Sequence, residues 1–185
     1  LIDIGCATGE LALALAGDGY AVLAVDISPA MVRQAQTKAA VYGLTRQATF
    51  RQVAAGRLVT LDERGPFQGA YAGLGTLNME PDLAGCVQGL HTLLEKNARV
   101  VVAVMGRHCL YEILHNLLRL KPRQTRRRSP EWSEGWTGLG GVNVPVRFFS
   151  PDALAAAFAP VFVPESVMAL PLWLPPLYMS EIYTA

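Results

Sequence analysis

"LIDIGCATGE", residues 1–10, reads as a buried strand that runs straight into a bend of small residues and then into a helix. Leu1, Ile2 and Ile4 surround a single acid, Asp3. Gly5, Cys6, Ala7, Thr8 and Gly9 follow, and Leu11, Ala12 and Leu15 then share one helical face up to a stop at Gly17. "YAVLAVD" (20–26) is a second continuous apolar run, and this one ends on an acid. Two such runs with a helix between them predict a βαβ unit: strands buried on both faces lose their alternation, and parallel neighbours require a crossover.

The alternation continues outward from this unit. Ser28-Pro29 supplies a cap and a first-turn proline for a helix lined by Val32, Ala35, Ala39 and Tyr42 and ended by Gly43. Strands are expected at 48–53 and, after the Gly65-Pro66 turn, at 69–74. Leu83, Val87, Leu90 and Leu94 mark a helix, and "ARVVVAVM" (98–105) is the strongest strand signal in the chain. The rhythm predicts an α/β fold, a doubly wound, mostly parallel sheet flanked by helices. It breaks after Gly106. An apolar helix at 108–120 is followed by Lys121, Arg123, Arg126, Arg127 and Arg128 and by Trp132 and Trp136, so residues 107–149 read as a helical and loop insertion after the fifth strand. Ser150-Pro151 restarts order with a helix to Phe158, a strand across 161–169, a proline-rich connection at 171–176 and a last strand at 177–185. No repeat or linker is visible, and residues 1–185 read as one domain whose abrupt start implies a missing N-terminal segment.

Composition narrows the function. With 185 residues, 51% apolar and 17% charged, the chain is long enough to bury a core. A net charge of +1 offers no global argument for nucleic acid. Cys6, Cys86 and Cys109 are scattered without CxxC spacing, which argues against a disulfide framework or a metal site and for a reducing, cytoplasmic compartment. Mean hydropathy is +0.26, yet apolar stretches break within about 10 residues, short of the roughly 20 a transmembrane helix needs. Oligomeric state leaves no signal in the sequence.

In an open parallel sheet, ligands bind beyond the carboxyl ends of the strands at the switch point. Gly5, Ala7 and Gly9 let the backbone approach a ligand, and the helix that follows presents unpaired N–H groups. Asp26, at the end of the second strand, is placed to accept from both hydroxyls of a ribose. Together they predict a nucleoside pocket. The plainer reading is a tight turn with Asp26 as a helix cap. A dinucleotide site needs a third glycine at position 10, where the chain has Glu10, and a carboxylate there would repel a pyrophosphate. A phosphate-free sulfonium cofactor meets no such objection.

"LIDIGCATGE…AVDISPAMVRQA" resembles the first motifs of class I S-adenosylmethionine-dependent methyltransferases: an acid, a G-x-G-x-G loop and a second acid after the next strand. Asp3, Gly5, Cys6, Ala7 and Gly9 fall on the first motif, with Ala7 in place of its middle glycine and expected to need only ordinary backbone angles. The resemblance implies S-adenosylmethionine as cofactor, with Asp26 on its ribose, Ile27 against adenine and Met31 nearby. It places backbone of Ala54 and Ala55 at the base, and Leu74 and Gly75 under the methionine part. Gln68 stands where the family commonly has Asp, and the acid often found after the third strand is absent. The implied activity is methyl transfer to a small-molecule acceptor. No dedicated catalytic constellation is visible; His108 and Asn78 are the candidates near the pocket, while His91 and His115 fall within helices. By analogy the 107–149 insertion is a substrate lid, its leucines and cations suiting an apolar substrate with an acidic group or, equally, an anionic lipid surface. An NAD(P)-dependent oxidoreductase and a non-catalytic methyltransferase-like binding domain are the alternatives.

Overall fold

The unbroken apolar run at the start of the chain puts β1 (Ile2–Ile4) at the centre of a parallel sheet, buried at every position. In the computed structural model, which describes residues 1–63, 65–119, 128, 133–139 and 142–169, β1 leads through α1 (Glu10–Gly17) to β2 (Val22–Asp26), and α2 (Pro29–Val41) leads to β3 (Ala48–Gln52). A short 3-10 segment (Ala55–Thr60) then carries the chain to the other side of β1, where β4 (Phe67–Ala72) pairs, and α3 (Leu83–Leu93) runs directly into β5 (Leu94–Val102). The sheet order β3-β2-β1-β4-β5, parallel throughout, is the doubly wound α/β arrangement the sequence predicts. Ile4 pairs with Val25 on one side and Ala72 on the other, so the loops after β1, β2 and β4 leave from one edge of the sheet.

Two apolar layers hold that sheet. Ala12 and Ala16 of α1 and Val32, Ala35 and Ala39 of α2 pack with β2, β3 and Phe50 in one buried cluster, and small alanines let these helices lie close to the strands. α3 packs against the 3-10 segment through fully buried Leu58, Cys86 and Leu90. The two cap signals hold, Ser28 Oγ accepting from Met31 N at 3.4 Å and Ser150 Oγ from Ala153 N at 3.2 Å, and Asp82 Oδ1 adds a cap the sequence reading missed, accepting from Gly85 N at 2.8 Å.

The chain divides into two compact units, Leu1–Val104 and Met105–Ala185. The second holds α4 (Leu110–Leu118), an antiparallel hairpin of β6 (Ser133–Leu139) and β7 (Val142–Val146), and α5 (Pro151–Phe158). That hairpin stands where the sequence suggested helix and loop. The fifth strand starts at Leu94 rather than Ala98: exposed Glu95, Lys96 and Asn97 are taken up in an irregular stretch between the Phe67–Leu94 and Gly69–Arg99 pairs, which polar residues hide from a reading based on apolar runs. Residues 161–169 form no strand; Val163, Val167 and Met168 are exposed, and Pro164 lacks a ladder N–H. The expectations for 171–176 and 177–185, and those for Lys121, Arg123, Arg126, Arg127 and Trp132, lie outside the described residues. Among the described residues no helix is long and apolar enough to cross a membrane, and no cluster of potential metal ligands occurs.

Candidate functional site

The bend after β1 is folded back onto the end of β2. Val25 O accepts from Gly5 N at 2.8 Å and from Cys6 N at 3.0 Å. Three of the next residues are left-handed: Gly5 at φ +73°, Ala7 at +46° and Gly9 at +82°. Glycine is required twice for space as well. A Cβ on Gly5 would overlap the Thr76 side chain, and one on Gly9 would stand 2.9 Å from both Ala35 Cβ and Phe50 Cε1. Ala7 corrects the expectation of ordinary angles at that position. Its N–H is drawn to Asp26 Oδ2 at 2.8 Å, and this bond holds a non-glycine residue in a conformation L-residues disfavour. Leu74, in the loop after β4, is likewise left-handed at φ +50°. Such strain persists only where the surroundings enforce it, and it collects at ligand sites; Ala7 and Leu74 sit in the two loops flanking the switch point, while the third left-handed non-glycine residue, Asn97, belongs to the irregular stretch of β5.

Asp26 points at the bend. Its Oδ1 accepts from Ser28 N and its Oδ2 from Ala7 N, both at 2.8 Å. A carboxylate offers about four acceptor positions, so the pair of backbone donors orients the group and leaves capacity for two more. Asp3, only 3% exposed, lies beneath. Burial, and then the charge of Asp26, push its carboxyl up to about 6 against the Ala12 backbone N–H that favours the anion. Burial and then the same two acids push the Cys6 thiol up to about 12, so Cys6 brings backbone to the site rather than a nucleophile.

The remaining predicted residues fall into three groups. Ile27, Met31 and Leu74 are apolar yet 70%, 36% and 90% exposed, at the ends of β2 and β4 and the start of α2. Ala54 is half-buried with its carbonyl already accepting from Arg57 N, while Ala55 and Gly75 are buried. Asn78 is fully buried in the 3-10 turn Thr76–Asn78, and His108 is exposed in the second unit. Glu10 opens α1 but turns outward into an ion pair with Lys38, whose ammonium also donates to Thr8 Oγ1 at 3.1 Å. That partner lowers the Glu10 carboxyl below its ordinary range and removes much of the repulsion expected from its position. Thr76 escaped the sequence reading. Its side chain stands over Gly5 and its hydroxyl donates to Gly73 O at 2.9 Å; the signal was the pairing of β4 beside β1, which brings the two loops together.

The comparisons with known proteins point one way. A stretch of 39 residues, 21% of this chain, is 51% identical to a protein named as a methyltransferase from Geobacillus sp. (strain WCH70), and covers 16% of that protein. A structure of a S-adenosylmethionine-dependent methyltransferase from Methanosarcina mazei aligns with a TM-score of 0.64 at 20% identity, over 86% of this chain and 77% of that one. The 1,6-didemethyltoxoflavin-N1-methyltransferase of Burkholderia thailandensis, solved with 1,6-didemethyltoxoflavin and S-adenosylhomocysteine, aligns with a TM-score of 0.61 at 19% identity, over 92% of this chain and 63% of that one. The chain spans 59% of the length of two further matched structures. A family model described as a methyltransferase domain matches residues 1–97, more than half of the 185, and the chain belongs to this family, on the fold of the class I S-adenosylmethionine-dependent methyltransferases.

Proposed function

We propose that the bend 5–9 and Asp26 bind S-adenosylmethionine and that the chain transfers its methyl group to a small-molecule acceptor. The observation that carries this is the Asp26 carboxylate, fixed by Ala7 N and Ser28 N with acceptor positions left over for a ribose diol. The donor set suits the cofactor in two further ways. Exposed Ile27, Met31 and Leu74 offer apolar surface for a base and a thioether chain, and the acids Asp3 and Asp26 favour a cation over a pyrophosphate. Backbone at Ala54 and Ala55 completes the base end, and Gly75 the methionine end. The bound cofactor supplies a methyl group activated on a positive sulfur. What the chain has to add is orientation and exclusion of water, and such positioning supplies roughly 7–11 kcal/mol of a barrier.

Residues 1–185 then act as one methyltransferase domain, with 107–149 receiving the acceptor. Its leucines and cations favour an apolar molecule bearing an acidic group, and the 1,6-didemethyltoxoflavin bound by the Burkholderia enzyme supports a small acceptor. His108 is the group we assign to accept a proton when the nucleophile is protonated, with Asn78 supporting the loop after β4 from within. The free thiols of Cys6, Cys86 and Cys109 support action in a reducing compartment, the cytoplasm.

Calorimetric titration tests the reading. Both S-adenosylmethionine and S-adenosylhomocysteine are expected to bind, and Asp26→Ala to weaken each at least tenfold, about 1.4 kcal/mol or more. Silence toward both at high protein concentration overturns it, and NADH binding in their place returns the oxidoreductase. Cofactor binding with no methylation of any small molecule in a labelled extract returns the non-catalytic domain.

A further inference from the structure

Helix α4 is turned with its polar side inward. Its buried residues are Glu112 and Asn116, one turn apart, while Leu110, Leu114, Leu117 and Leu118 are 42%, 48%, 51% and 75% exposed. At about 100° per residue, the two sets lie on opposite sides of the helix. The inward side is fastened: Arg128 Nε donates to Glu112 Oε2 at 2.8 Å, Arg128 Nη1 donates to Gly106 O at 2.8 Å, and the guanidinium lies 5.2 Å from the centre of the Phe148 ring. A surface helix ordinarily buries its apolar stripe. Here a hydrogen-bonded ion pair occupies that place and a continuous leucine ridge faces outward, the kind of exposed apolar patch that marks an interaction site.

Charge selects what covers the ridge. Glu112 is the one acid of α4 and is neutralised by Arg128, while Arg107 and Arg119 stand exposed on either side of the helix. From 119 to 127 the sequence reads Arg119, Lys121, Arg123, Arg126 and Arg127 with no acid among them, in a chain whose net charge is only +1. We infer that α4 docks its leucine ridge on an anionic lipid surface, acyl chains taking the leucines and phosphate headgroups the exposed Arg107 and Arg119 at its two ends. A second copy of the chain is the poorer occupant, because it would bring two such basic stretches together. The inference rests on α4 and the cations that flank it, is independent of cofactor binding, and gives the α4 leucines to lipid in place of the methyl acceptor.

Co-sedimentation of the full chain with vesicles, without cofactor or acceptor, tests it. Partition onto phosphatidylglycerol–phosphatidylcholine vesicles is expected to exceed that onto pure phosphatidylcholine by about tenfold or more and to weaken between about 0.1 and about 0.5 M salt. The double variant Leu114→Gln/Leu118→Gln is expected to lose about tenfold in partition, with its circular dichroism and thermal melt as checks of folding; the single variant Leu117→Gln repeats the measurement with a smaller change. No partition onto anionic vesicles, equal partition onto neutral ones, or a double variant that folds and binds vesicles as the parent does overturns the inference. So does a dimer by light scattering that the double variant breaks, which would assign the ridge to a second copy. None of these results touches cofactor binding, which fails or succeeds in the calorimetric titration.

Discussion

Ala7 shows how one methyl group registers in backbone energy. A left-handed residue with a Cβ costs roughly 1–2 kcal/mol relative to a right-handed one, and at φ +46° Ala7 bears that cost. Ala7→Gly is expected to raise stability by about 1 kcal/mol in thermal melts, the gain reduced by the extra freedom of glycine in the unfolded chain. The reverse change at the neighbouring glycine is expected to be harmful. Gly5→Ala adds the same backbone penalty to an overlap with Thr76, and a loss of about 2–4 kcal/mol follows from strain and overpacking together; an unchanged melt would contradict the geometry of the bend. Asp3 makes a prediction in pH. Its carboxyl is raised from 3.8 to about 6 in the folded chain, so between those values the folded state holds more protons than the unfolded one. Stability is therefore full below about pH 4 and declines as pH rises through about 6, by about 3 kcal/mol for a shift of this size. Asp3→Asn, which keeps an acceptor for the Ala12 N–H, is expected to flatten that part of a melting-temperature profile and to be more stable than the parent at pH 8.

Among the elements, α4 depends most on a single interaction. Glu112 and Arg128 are 4% and 12% exposed in their side chains, and removing one member of a buried pair leaves the other charge without compensation, at a cost of about 3–5 kcal/mol. Arg128→Met is expected to lower the thermal stability by that order, while Glu112→Leu/Arg128→Met recovers most of it, since two apolar groups need no partner. If the double change melts as low as the single one, Arg128 acts instead through Gly106 O and Phe148. The α1–β2–α2 unit behaves differently. Its helices are fastened by many small contacts of alanine on strand, so no single truncation there is expected to approach the effect at Arg128.

At the scale of the molecule, stability follows the sheet order. β1 and β2 are buried almost throughout and paired on both sides, whereas among the described residues β5 is an edge strand with Val101 57% exposed. Hydrogen exchange is expected to be slowest in the amides of β1 and β2 and faster in β5. S-adenosylhomocysteine at about 100 times its dissociation constant is expected to add about 2.7 kcal/mol, with new protection concentrated at residues 5–9 and 26–28. Protection that appears in β5 and not in those loops would move the site elsewhere.

The strands β1 and β2, the helices α1, α2 and α5, the caps at Ser28 and Ser150, and the acids Asp3 within β1 and Asp26 at the end of β2 were all legible in the sequence. Those features depend on periodicity, turn chemistry and residue type within a dozen positions, and local physics suffices for them. The left-handed angle of Ala7, the Thr76 side chain over Gly5 and the inward turn of Glu112 were decided only by tertiary structure. Each arises from a partner 16 to 71 positions away (Arg128 for Glu112, Asp26 for Ala7, Thr76 for Gly5). Nothing in the neighbourhood of these residues carries that information, because it is the pairing of parallel strands and the closing of an ion pair that bring such distant groups together.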